Sequence, residues 1–143
     1  HVTLWAKDPQ ASGLGACHNP RLDIDNTGEQ PGKPENINVD NPADGQTFRA
    51  AVHYYREVDK TVDEHPMVNI YCGGVLKATF GKAPNTLTGF NTGDAYGKGQ
   101  LWRVADVKTV VNAMGNTTDC TVTALHPAGT TSGYWLTNND MSY

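Results

Sequence analysis

Asp23 and Asp25 stand two residues apart in Arg21-Leu22-Asp23-Ile24-Asp25-Asn26. In an extended chain, side chains two apart project to the same side. Glu35 and Asn36 follow a loop over 28–34 that holds two glycines and two prolines, and so return along its far limb. Hard oxygen donors of this kind suit calcium, which takes about six to eight oxygens from carboxylates, amides and backbone carbonyls. Asp23, Asp25, Glu35 and Asn36 are therefore the candidate calcium ligands, with Asp40 and Asp44 in a neighbouring turn. The competing use of such side chains is in Asx turns that bond backbone amides of the loop itself.

A second metal chemistry is available to His1. Its amino group and imidazole can chelate copper, for which nitrogen ligands are suited. With a second histidine the arrangement would be the histidine brace of lytic polysaccharide monooxygenases. His53 is the first partner for it, with His126, His65 and His18 as others. That reading makes the protein a copper oxidase. Its competitor is a chain whose His1 marks a processed terminus or an excised domain, with His53 as part of a strand. Among the aromatic residues, Tyr134, Trp135 and Tyr96 are candidates for ligand contact, on a sugar ring or a protein surface. Trp5 and Trp102 fall in strand patterns and read as core. Gly-x-Ser-x-Gly, phosphate-loop and His-Glu-x-x-His motifs are absent. Asn116-Thr117-Thr118 fits a glycosylation sequon and equally a turn.

The elements that must position these residues are short. Fifteen glycines and eight prolines in 143 residues imply many turns, hence strands rather than long helices. The stretch 46–57 is the longest strand expected, with Phe48, Ala50, Val52 and Tyr54 on one face. Gly45 supplies the positive φ of the turn before it. Met67 to Cys72 and Val75 to Phe80 flank Gly73-Gly74, a pair that favours a tight hairpin. Segments at 2–7, 22–24, 37–39, 100–107 and 120–125 complete a set of seven to eight strands. The stretch 82–99 reads as a long loop, and 110–114 as either a strand extension or a helical turn. The expected class is all-β: a single-domain antiparallel β-sandwich over 1–126, followed at 127–143 by an aromatic tail or a terminal strand.

A net charge of −4 and the lack of any basic run argue against a nucleic-acid partner. No apolar run reaches the length of a membrane-spanning helix. Of the three cysteines, Cys72 closes one strand and Cys120 opens another, so an exported chain would pair these two and leave Cys17 over. In a cytosolic chain all three would stay reduced and buried.

Arg21-Leu22-Asp23-Ile24-Asp25-Asn26, Pro34-Glu35-Asn36-Ile37-Asn38 and Val52-His53-Tyr54-Tyr55 resemble the YfaP-like extracellular β-sandwich domains of bacteria. The likeness continues through Val68-Asn69-Ile70-Tyr71-Cys72-Gly73-Gly74 and Leu101-Trp102-Arg103-Val104-Ala105-Asp106-Val107, covering about residues 1–125. The resemblance implies an exported or cell-surface β-sandwich that occurs beside adhesion modules. It also implies an opening Asp-x-Asp-x-His strand, whose acidic pair does not occur before the histidine here. The function expected is a secreted, non-enzymatic domain for adhesion, carbohydrate binding or surface assembly, with Ca²⁺ as a stabilising ion. The alternatives are the copper oxidase and a filament subunit that self-associates through edge strands or its C-terminal tail.

Overall fold

The computed structural model describes residues 21–24, 34–54, 64–90 and 100–137. These form eight β-strands, antiparallel wherever they pair, and no helix. The expected all-β class is therefore observed. The chain divides into two compact units, His1–Pro42 and Ala43–Tyr143.

The first unit contributes a hairpin of β1 (Arg21–Ile24) and β2 (Asn36–Asn38). Leu22 pairs with Ile37 and Ile24 with Asn36. Asp23 is thus one residue too many for the ladder and forms a β-bulge.

The second unit holds β3 (Thr47–His53), β4 (Val68–Cys72), β5 (Val75–Phe80), β6 (Leu101–Val111), β7 (Thr117–Ala124) and β8 (Trp135–Thr137). Strand β6 is the axis. On one side it pairs with β3 along Leu101 to Lys108. On the other it pairs with β8 over Leu101 to Arg103 and with β7 from Ala105 onward. It is the longest strand, rather than the 46–57 stretch, because its second half continues through 110–111 as the partner of β7.

A bulge changes which residues of β6 face inward. Ala50 pairs with Ala105 but Ala51 pairs with Arg103, so Val104 has no counterpart. One extra residue reverses the side-chain alternation of a strand. Even-numbered Trp102 and Val104 and odd-numbered Ala105 and Val107 consequently all pack on one core. The other face of β6 is covered too, and Leu101 to Ala105 is buried throughout. On β3 the expected period of two is intact: Phe48, Ala50 and Val52 are half-buried while Thr47, Arg49 and Ala51 are exposed.

Residues 82–90 belong to the stretch read as a loop, and they do lack strand structure. Yet Leu87 is 0% and Phe90 2% exposed, and Phe90 meets Tyr54 edge-on with ring centroids 5.2 Å apart. The segment is a wall of the core.

The β4–β5 hairpin turns at Gly73 (φ 56°) and Gly74 (φ 80°). Both angles are left-handed, as a primed two-residue turn requires. Val68, Ile70 and Cys72 point to the core. The hairpin is fastened to β7 by the Cys72–Cys120 disulfide and by Lys77–Asp119 at 2.7 Å. Cys120 lies inside β7 rather than at its first residue. A Cβ at Gly73 would lie 3.0 Å from the Thr117 carbonyl oxygen, so the hairpin tip approaches β7 closely.

Two stability outcomes follow. The disulfide closes a loop of sequence separation 48, for which the chain-entropy relation gives about 4 kcal/mol. Cys72→Ala/Cys120→Ala should lose about that much in denaturant unfolding, and dithiothreitol should give the wild type the same midpoint. At Gly81 (φ 78°) a Cβ would fall on the Pro66 carbonyl oxygen and within 3.3 Å of the Trp102 ring. Gly81→Ala should therefore cost at least about 2 kcal/mol, more than Gly74→Ala, where the space is open and only backbone strain of about 1–2 kcal/mol acts.

Candidate functional site

The acidic hairpin places two of the four candidate calcium ligands by register. Asp23 is the bulge residue, and Asn36 pairs with its neighbour Ile24. Glu35 immediately precedes β2 and, like Asn36, is exposed. The bulge thus brings Asp23, Glu35 and Asn36 to the loop end of one hairpin. Asp25 lies outside the described residues. Among those described, no three His, Cys, Asp or Glu side chains stand together as a metal-holding group. Asp44 has another use: its Oδ1 accepts the Val111 amide at 2.9 Å. Beside it, the buried Thr109 hydroxyl donates to the Ala43 carbonyl at 2.7 Å, and Gly45 N–H donates to the Thr109 carbonyl at 2.9 Å. This turn secures the far end of β6.

Of the histidines proposed for copper, His1 and His18 lie outside the described residues. His65 donates its Nδ1 hydrogen to the Leu87 carbonyl at 2.6 Å, and His126 donates its own to Gly133 at 2.8 Å. Only the Nε2 of each is left for a metal. His53 ends β3, opposite Leu101, and is half-buried. Burial disfavours its charged form and holds its pKa below the ordinary 6.5.

The C-terminal aromatics are engaged inside the fold. Tyr134 meets Trp102 edge-on, centroids 5.3 Å apart, and its hydroxyl donates to the Asn85 carbonyl. Trp135 opens β8 opposite Arg103, whose guanidinium carbon lies 5.2 Å from the centre of the indole. A cation over an aromatic face is attracted by the ring quadrupole. Tyr134 and Trp135 are half-buried. Tyr96 lies outside the described residues. On the same face of the sheet as Arg103, Arg49 and Asp106 form a two-pronged pair, Nε–Oδ1 2.8 Å and Nη2–Oδ2 2.9 Å. The Arg49 hydrogen bond holds the Asp106 carboxyl below its ordinary value of 3.8.

What sequence reasoning missed is the outer face of the β4–β5 hairpin. Tyr71 is 60% exposed, and Met67 and Leu76 are exposed with it. Tyr71 and Leu76 are cross-strand partners, as are Asn69 and Thr79, whose side chains hydrogen-bond at 2.8 Å. The signal was available in the alternation: if Val68, Ile70 and Cys72 point inward, Asn69 and Tyr71 must point outward.

Comparison with protein-family models, curated proteins and solved structures finds no match for this chain.

His53 and Asp106 predict separate pH windows. His53 binds protons less readily folded than unfolded, so stability is full above pH 6.5 and falls as the pH drops below it. His53→Gln should flatten the acid-side loss that wild type shows below pH 6.5 in thermal melts. The Asp106 carboxyl likewise binds its proton less readily folded than unfolded: its contribution is present above pH 3.8 and lost below it. Because water screens this half-exposed pair, Asp106→Asn should cost only about 0.5–1 kcal/mol at neutral pH, with the two proteins converging near pH 2.

Proposed function

We propose that this chain is an exported, non-enzymatic β-sandwich domain that works by binding, and that its contact surface is the outer face of the β4–β5 hairpin. The observation that carries the reading is the set of exposed apolar side chains Met67, Tyr71 and Leu76, held outward on a hairpin that a disulfide fixes to β7. Apolar side chains grouped on a surface mark contact sites more often than scattered ones do. The sandwich architecture is supported by the core, which lies between the β3–β6–β7–β8 sheet and the inner face of β4–β5. Export is supported by the disulfide, since such bonds persist in oxidising compartments. The described residues contain no helix long and apolar enough to cross a membrane. The resemblance to YfaP-like domains points the same way, toward adhesion, carbohydrate binding or surface assembly.

Calcium belongs to this reading as a stabiliser of the acidic hairpin. The bulge leaves Asp23, a carboxylate-bearing residue, unpaired in the ladder next to the Ile24–Asn36 rung, which Glu35 precedes in sequence.

Leu76→Asp places a charge on an already exposed position, so its melting temperature should match wild type. The reading predicts that the variant loses wild type's attachment to the producing cell surface or its self-association in sedimentation. A wild type that shows neither, or a variant that keeps both, removes the face from the function. For calcium, melting with and without a chelator is decisive. At a free concentration about a hundred times Kd, binding to the native state alone adds about 2.7 kcal/mol. Asp23→Asn should abolish the shift; superimposed curves for wild type would remove the ion.

A further inference from the structure

We infer that the outer face of β4–β5 takes a neutral glycan, with one sugar ring stacked on Tyr71. This rests on that face being the contact surface, and it adds the chemical class of what lies there. Three observations carry it. First, the face pairs an apolar surface with hydrogen-bonding groups in adjacent rungs: Tyr71 opposite Leu76, and Asn69 opposite Thr79. Asn69 Oδ1 accepts from Thr79 Oγ1 at 2.8 Å, which orients the amide so that its NH2 donors and the Thr79 oxygen remain for a ligand. A pyranose offers the complement, an apolar C–H face edged by hydroxyls. A purely apolar occupant would instead bury the Asn69 amide without partners, which is costly.

Second, the face is uncharged. Lys77 is the bulge residue of β5, skipped between the Tyr71–Leu76 and Ile70–Ala78 pairs, and its ammonium is directed to Asp119. No ionic side chain of the two strands is left on the outer rungs of Met67, Asn69, Tyr71, Leu76 and Thr79. An anionic polysaccharide would meet no cation there and would approach a chain of net charge −4. A cationic ligand would meet no carboxylate of these two strands.

Third, the platform is rigid before anything binds. The Gly73-Gly74 turn, the Cys72–Cys120 bond and the Lys77–Asp119 pair fix the hairpin. A preformed surface loses less freedom on association than one that must order.

The test uses the full chain and its Tyr71→Ala, Tyr71→Trp and Asn69→Ala variants. Each is titrated with cellohexaose, laminarihexaose, chitohexaose and maltohexaose, and with polygalacturonate as the acidic control. Melting temperatures should be unchanged, since Tyr71 and Asn69 lie outside the core. Wild type should bind at least one neutral oligosaccharide and not polygalacturonate. Tyr71→Ala should weaken that binding at least about tenfold, corresponding to about 1.4 kcal/mol. Tyr71→Trp should retain it and Asn69→Ala should weaken it. Absence of binding to all four neutral sugars, or binding that Tyr71→Ala leaves intact, overturns the glycan. The same variants in the sedimentation and cell-attachment assays separate the two ideas. If Tyr71→Ala changes those while no sugar binds, the face is a protein contact and the glycan is wrong. If it changes neither, the face itself is wrong.

Discussion

Everything described in the second unit depends on the first half of β6, Leu101 to Ala105, being buried along both faces. A strand in that position cannot alternate apolar and polar residues cleanly, because each parity has an interior to fill. The bulge at Val104 relieves the conflict. It lets Trp102 and Val104 on one side of the irregularity, and Ala105 and Val107 on the other, reach a single core. The same point is where β8 gives way to β7 as the lateral partner. Arg103 is carried into the opposite, buried face by the same geometry, and its charge is met there in part by the Trp135 ring. So the tail aromatics are consequences of the central strand. They close the sheet beside it.

The hairpin β4–β5 has the converse arrangement. Its inner face supplies Ile70 and Cys72 to the core and its outer face is left to solvent. A two-stranded ribbon is marginal by itself. It is held by the core beneath it and by two links to β7, one covalent and one ionic. Those links make it a fixed surface rather than a loop. Reduction would loosen the hairpin, and with it the order of the Tyr71 face.

How much of this was legible in the sequence differs by element. The strands of the second unit were readable because β-branched and aromatic residues alternate there, and Gly73-Gly74 announced its turn. The Cys72–Cys120 pairing followed from where the two cysteines fall relative to strands. The wall formed by Leu87 and Phe90 was not readable, since two apolar residues among Gly, Asn and Thr carry no period. The length of β6 was obscured by Lys108 and Thr109, whose polarity is accommodated by exposure and by hydrogen bonds to the turn at Ala43 and Gln46. The candidate sites show the same division. Residue type suggested Asp23, Glu35 and Asn36, and only register revealed the bulge. Tyr134 and Trp135 drew notice as aromatics in a polar tail, yet one leans on Trp102 and the other on Arg103. Tyr71 escaped notice because it sits in a strand, where an aromatic residue reads as core.

The most direct measurement of the central claim is a residue-resolved map of the bound surface. ¹H–¹⁵N spectra of the isotopically labelled chain, recorded during titration with the neutral oligosaccharide of highest affinity, supply it. The account predicts perturbed amides confined to Met67, Asn69, Tyr71, Leu76, Thr79 and their immediate neighbours. Perturbations centred instead on Tyr134 and Trp135, on His53, or on the hairpin at Asp23 would contradict it.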